Sequence, residues 1–153
     1  MHGLQLKVPP VVVVLVTAAL MWLVSRTLTA FDFVFPARDV LAVSFAVAGA
    51  IIVLSGAASF RRARTTFNPM KPESTSSLAL SGVYKVSRNP MYLGFFLMLV
   101  GWAIFISNAL AFIFLPAFIL YMNRFQIEPE EEALACKFGQ EFDVYKSRVR
   151  RWL

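Results

Sequence analysis

The chain has 153 residues, 58% of them hydrophobic and only 16% charged, against roughly 25% charged in an ordinary soluble domain. That balance excludes a conventional water-soluble domain and points to one small all-α integral membrane domain, residues 1–153, with apolar blocks long enough to cross a bilayer. The net charge of +6 sits at the edges of those blocks, as expected of membrane topology and anionic headgroups and not of nucleic-acid binding.

Taken in order, a short basic lead-in gives way to an apolar run over 8–28. Its valine run, Val11 to Val14, would suit a strand in water, but a lipid-spanning segment must satisfy its backbone internally, so a helix is expected. The run is too long for the apolar core of a cleaved leader, and Thr27-Leu28-Thr29-Ala30 only weakly imitates a cleavage site, so an uncleaved first span is expected. A connector with Phe31, Phe33 and Phe35 as interface anchors leads to a second span over 41–60. Its Ala46, Gly49, Ala50, Gly56 and Ala57 are small enough for close helix packing. Arg61-Arg62-Ala63-Arg64 ends that span, and 61–89 reads as a polar loop, with turn formers at Asn68-Pro69 and Lys71-Pro72. A loop of this length in a compact domain is more often functional than idle.

Asn89-Pro90 is a helix-start signal: asparagine can cap free N–H groups, and proline tolerates the first helical position. Spans follow over 90–107 and 109–125, each about 26 Å long at 1.5 Å per residue. They are joined by the uncharged turn Ser107-Asn108 into a tight hairpin, with Pro116 expected to bend its second arm. From 128 to 153 the pattern becomes an amphipathic tail helix. Pro129 and Glu130, Glu131 and Glu132 mark its start. Leu134, Phe138, Phe142, Tyr145, Val149 and Trp152 form one apolar stripe, expected to lie on the membrane face and to be broken at Gly139. With four spans, all 15 Lys and Arg except Arg26 and Arg38 fall on one side. That asymmetry puts both termini, the loop and the tail in the cytoplasm, so Arg88-Asn89-Pro90 and the glutamate cluster can meet.

The residues alone specify no reaction. His2 and Cys136 stand alone, so there is no metal-binding set, no internal disulfide and no histidine beside the thiol to activate it. Neither a phosphate-binding glycine loop nor a dinucleotide fingerprint is present. What remains is Tyr84, Arg88, Asn89 and Tyr92 from one segment and Glu130 and Glu131 from another. Arg88 can be a snorkelling lipid anchor, an ion-pair partner for a glutamate, or a clamp for a ligand carboxylate. The glutamates alone fit an acidic helix start, and the tyrosines fit interface aromatics. Together they describe a cytoplasm-facing polar pocket opening into a lipid-embedded hairpin.

The run Gly82-Val83-Tyr84…Arg88-Asn89-Pro90-Met91-Tyr92-Leu93-Gly94, followed after a hairpin by Glu128-Pro129-Glu130-Glu131…Leu134…Phe138-Gly139…Phe142…Tyr145…Val149, resembles the integral membrane methyltransferases. These are the isoprenylcysteine carboxyl methyltransferases and their phospholipid N-methyltransferase relatives, which have short bacterial members. The resemblance covers about 80–153 and implies a bacterial inner-membrane enzyme using S-adenosylmethionine on the cytoplasmic side. It implies a lipophilic acceptor, a prenylcysteine-like carboxylate or a phospholipid amine, reaching the site from between the helices. Carried over by residue, Tyr84, Arg88, Asn89, Pro90 and Tyr92 border the cofactor's amino-acid end, and Glu130 or Glu131 binds its amino or ribose groups. Arg88 and Glu131 are the implied catalytic pair. Gly94 and Gly101 would leave room for the cofactor or a partner helix. Asn89 stands where the family often has histidine, and asparagine does not titrate near neutrality. The competing expectation is a non-catalytic membrane scaffold or lipid-binding subunit of the same fold.

Overall fold

A computed structural model of the chain describes residues 6–34, 36–62, 77–78 and 80–153. The middle of the expected loop, 63–76, lies outside the described residues, as do His2 and Phe35. The described residues are helical apart from short connections and one bridge pairing Asp32 with Asn108. Helix α1 runs Pro10–Thr27, α2 Arg38–Arg62 and α3 Pro90–Ile106. Next comes an unbroken helical rod: a 3₁₀ turn Ala109–Ile113, α4 Phe114–Met122, a π turn Asn123–Ile127 and α5 Glu128–Phe138. A final helix, α6, covers Gln140–Arg148. Among the described residues, three helices are long and apolar enough to cross a membrane: α1, α2 and the rod from Ala109 to Phe138. Helix α3 is apolar but shorter, at 17 residues.

Two packing modes hold the bundle. Helices α1, α3 and α4 enclose an interdigitated core in which Met21, Leu99, Ala103, Ala111, Phe118 and Met122 are almost completely buried. Helix α2 lies on α3 through glycines instead of large side chains. A Cβ at Gly94 would fall 2.6 Å from the Gly49 carbonyl oxygen, and one at Gly101 would fall 2.6 Å from that of Ala42. Such backbone approach is how membrane helices gain dispersion contact without a hydrophobic drive between them. The small residues of α2 thus pack as the sequence suggests, and the room left by Gly94 and Gly101 is filled by a partner helix.

The hairpin turn is tight, as expected. Ser107 takes a left-handed conformation, φ +54°. Asn108, fully buried, accepts from the Leu110 N–H at 3.0 Å and donates to the Leu28 carbonyl at 3.0 Å and to Asp32 Oδ1 at 2.7 Å. This ties the start of the rod to the α1–α2 connector. Pro116 lies in the third position of α4, just past the junction with the 3₁₀ turn.

The expected tail helix over 128–153 is corrected at its start and at its end, and its expected break falls at Gly139. Its start is not a helix start, because the rod passes through Glu128 from α4. Pro129 is accommodated by the π turn just before it, a known way to absorb a ring that clashes with the preceding turn. The proline has no N–H to give the Phe125 carbonyl, and that carbonyl accepts from the Leu6 N–H at 3.1 Å. Gly139, at φ +50°, separates α5 from α6 as a left-handed residue that favours glycine. At the far end, helix stops at Arg148, and Val149 to Leu153 turn back over the start of α3. Phe142, 2% exposed, and Val149, 9%, therefore face the protein interior and not a membrane surface.

Candidate active site

The start of α3 gathers the expected residues. Pro90 occupies the first helical position. Asn89, however, makes no side-chain cap; its Nδ2 donates to the Arg151 carbonyl at 3.0 Å instead. The Asn89 N–H is taken by Ser87 Oγ at 3.1 Å, and the Ser87 hydroxyl points to the same Arg151 carbonyl at 3.4 Å. The Arg88 N–H donates to the Arg150 carbonyl at 3.0 Å. Three consecutive residues thus hold the C-terminal strap, and the strap returns the contact through Trp152, whose indole N–H reaches Asn123 Oδ1 at 2.9 Å and whose ring packs edge-on to Phe96.

Beneath the strap Arg88 meets Glu131. Its Nε and Nη2 donate to Glu131 Oε1 at 3.2 and 2.8 Å, while its Nη1 donates to the carbonyls of Lys146 and Val149 at 3.1 and 2.6 Å. Arg151 completes the cluster with Nη2 on Glu131 Oε2 at 2.8 Å. The Arg88 and Glu131 side chains are each 10% exposed. Of the three readings open for Arg88, the ion pair is the one formed, and four hydrogen bonds claim most of its five N–H groups. Both Glu131 oxygens are engaged by guanidinium groups.

Glu130 is placed differently. Its Oε2 accepts from the Tyr92 hydroxyl at 3.1 Å, and it has no cationic partner among the described residues. Phe60, Tyr84, Arg88, Asn89, Met91, Tyr92 and Glu130 line one cavity of about 20 Å³. The Tyr84 ring stands edge-on to Phe60 with centroids 5.2 Å apart, and its carbonyl accepts from the Tyr145 hydroxyl at 2.8 Å. Gly94 lies outside this cavity, against α2. Glu132 is exposed on the far side of α5.

The apolar stretch of the rod ends before Arg124, so Glu130 and Glu131 lie beyond it, and their environments diverge. Burial pushes Glu130 up to about 7, against the pull of the Tyr92 hydrogen bond and with a further push from the charge of Glu131. Burial also works on Glu131, but the hydrogen bonds and charges of Arg151 and Arg88 outweigh it and hold that carboxyl below the usual range. Burial raises the Tyr84 phenol, which therefore stays protonated and able to donate. Neighbouring carboxylates pushed apart in this way take different chemical roles. Glu131 is held by two guanidinium groups in a structural clasp, and Glu130 faces a cavity without such a clasp.

Sequence reasoning missed Ser87, Asn123, Tyr145, Arg151 and Trp152 as neighbours of the site. The crowded basic end made Arg151 one cation among several, and only the strap's reversal distinguishes it from Arg148 and Arg150. Trp152 read as the last member of an amphipathic stripe, and nothing in its spacing signals an indole hydrogen bond to Asn123.

Residues 37–141 match the model of the phospholipid methyltransferase family. An uncharacterized protein of Haemophilus influenzae is 48% identical over 63 residues, covering 41% of this chain and all of that protein. The protein-S-isoprenylcysteine O-methyltransferase of Saccharomyces cerevisiae is 38% identical over 82 residues, 52% of this chain and 33% of the yeast protein. The human protein-S-isoprenylcysteine O-methyltransferase is 33% identical over 75 residues, 49% of this chain and 26% of its own length. The chain therefore spans only about a third or less of these two methyltransferases. No solved structure matches.

Proposed function

Because this chain belongs to the phospholipid methyltransferase family, we propose that it is an S-adenosylmethionine-dependent methyltransferase acting on a lipophilic acceptor at the cytoplasmic membrane face. The observation that carries the reading is the pair of glutamates in contrasting states at one helix entry. Glu130 keeps an oxygen free beside the protonated hydroxyls of Tyr84 and Tyr92, a donor and acceptor set that suits the amino or ribose groups of such a cofactor. The cofactor, when bound, supplies the activated methyl group. The arrangement fits, on the condition that the cavity widens: about 20 Å³ is far below the roughly 300–1,000 Å³ of ligand clefts. The neighbouring strap and the Phe60–Tyr84 wall are the parts able to yield.

In this reading Arg88, Glu131 and Arg151 frame the site, Asn89 holds the strap, and Pro90 sets the α3 entry. Glu130, Tyr84 and Tyr92 contact the cofactor. A carboxylate acceptor needs no base. An amine acceptor must lose a proton, and Glu130 is the group poised to take it. An apolar groove of about 420 Å³ lies between α1 and α2 on α3, walled by Val14, Ala18, Ala46, Met98 and Trp102. The Trp102 indole N–H is satisfied by the Ala18 carbonyl at 3.0 Å, so the groove suits the hydrocarbon part of an acceptor. In this reading helix α3, about 26 Å long, serves as a fourth span, and the Lys and Arg asymmetry supports a cytoplasmic site and cytoplasmic termini.

The test is equilibrium binding of S-adenosylhomocysteine to purified protein, followed by transfer of labelled methyl groups in membranes. Saturable binding weakened in Glu130→Gln, with label entering phospholipid or a protein-linked ester, is the expected result. Folded protein that binds no cofactor in several detergents and lipids would leave the scaffold reading standing.

A further inference from the structure

The opposite end of the bundle carries a second polar cavity. It measures about 180 Å³ and is lined by Ser25, Arg26, Thr29, Asp32 and Ile106. Arg26 closes the last turn of α1, where the helix dipole favours a cation. That explains Arg26 alone; it does not explain a carboxylate facing the same space. Arg26 and Asp32 share the cavity without pairing, and Arg26 enters no ion pair among the described residues.

Asp32 is held in place rather than left to rotate. Its Oδ1 accepts from Asn108 Nδ2 at 2.7 Å, and Asn108 is itself fully buried and pinned by Leu28 and Leu110. The second carboxylate oxygen has no partner among the described residues. Ser25 Oγ donates its proton to the Trp22 carbonyl at 2.7 Å, so toward a ligand it can only accept. The Thr29 hydroxyl has no partner among the described residues and can donate. Around the rim Trp22, Leu28 and Phe31 are about half exposed, the belt that sits at headgroup depth in a bilayer.

We propose that this cavity binds the headgroup of an aminophospholipid. The phosphate lies on Arg26 and Thr29, and the primary ammonium lies on the Asp32 carboxylate and Ser25. The arrangement discriminates by chemistry. An anionic headgroup without an amine meets the Asp32 charge unpaired, and a trimethylated ammonium has no N–H to give Asp32 or Ser25. This site is separate from the candidate active site, so it stands whether or not the cofactor reading holds.

Native mass spectrometry of the detergent-purified chain tests it. The protein would be loaded in turn with phosphatidylethanolamine, phosphatidylglycerol and phosphatidylcholine, and separately with free phosphoethanolamine. The expected result is retention of the ethanolamine lipid about fivefold above the other two, the scale of one partly exposed charge contact. Arg26→Gln should lower that retention by a similar factor, while S-adenosylhomocysteine binding stays as in the wild type. Asp32→Asn should remove the preference among headgroups. Free phosphoethanolamine binding as well as the lipid would overturn the lipid assignment in favour of a soluble ligand. Equal retention of all three lipids, or an Arg26→Gln variant indistinguishable from wild type, would overturn the site. Arg26 makes no hydrogen bond that folding depends on, so this arm remains decisive if Asp32→Asn loosens the Asn108 turn.

Discussion

Replacing Glu131 by glutamine removes the charge on which two arginines converge. Breaking a buried ion pair from one side typically costs about 3–5 kcal/mol, because the stranded charge stays desolvated. Here two features reduce that figure. The glutamine carbonyl still accepts one N–H, and Arg88 keeps the carbonyls of Lys146 and Val149. Arg151, 32% exposed, can turn to water and contributes under about 1 kcal/mol. The net expectation is a loss of about 2–3 kcal/mol, or roughly 4–12 °C in thermal midpoint for a chain of this size. Glu132→Gln, at an exposed position on the same helix, should change stability by under about 0.5 kcal/mol. The assay is thermal unfolding in micelles of both variants, Arg88→Ala and the Arg88→Ala/Glu131→Gln double variant. Since Arg88 and Glu131 share one contact, the double variant should cost much less than the sum of the singles. The linkage sign agrees: the Glu131 carboxyl is depressed in the folded state, so its contribution is present above the ordinary carboxylate value and lost as pH falls through the lowered one. Equal effects of Glu131→Gln and Glu132→Gln would refute the clasp and return the cluster to an acidic helix segment.

For an amine acceptor, initial rates at saturating cofactor should rise with pH through about 7, the value to which burial lifts Glu130, and Glu130→Gln should abolish that limb; a carboxylate acceptor at saturating cofactor would give a flat profile. The stability consequence of Glu130 is opposite to that of Glu131. Its raised value means the native state holds a proton the unfolded chain releases, so Glu130→Gln should be more stable than wild type above pH 7 and equal to it in acid, measured by the same melts. Gly94→Val should separate α2 from α3, because even a Cβ there falls 2.6 Å from the Gly49 carbonyl oxygen; a loss of about 1–3 kcal/mol or misassembly is expected by melting and size-exclusion chromatography. Deleting 149–153 should leave Asn89 Nδ2, Asn123 and the Arg88 N–H without their strap partners, raising protease sensitivity near 82–89 and weakening S-adenosylhomocysteine binding at least tenfold, about 1.4 kcal/mol.

The parts of this structure legible in the sequence are those fixed by solvent partition. Apolar block lengths give α1, α2 and α3 to within a few residues. Small residues in α2 mark the glycine contact with α3, and Ser107-Asn108 marks the hairpin turn. The parts that escaped depend on a backbone group losing its usual partner. Pro129 reads as a helix start because proline is common there, yet it stands inside a rod. A π turn before it and the Leu6 N–H on the freed Phe125 carbonyl remove the penalty, and the second comes from the far end of the sequence. The stripe through Val149 and Trp152 was extended past Arg148 because periodicity cannot register that the chain leaves the helix while its side chains stay buried.

Asn89 shows how this affects the site. The sequence reads Asn89 as a helix cap that does not titrate near neutrality. In the structure its amide spends its donor on the Arg151 carbonyl, a task for which titration is irrelevant, while Ser87 takes the Asn89 N–H. In the proposed mechanism the proton-handling group is Glu130, 41 positions further along, where the rod brings a half-buried carboxylate beneath Tyr92. Asn89→Ala should therefore loosen the strap without shifting the pH profile, and Asn89→His, whose ring N–H can also donate, should retain it. A pH profile that moves in Asn89→His but not in Glu130→Gln would relocate the base to the α3 entry and overturn this division of labour.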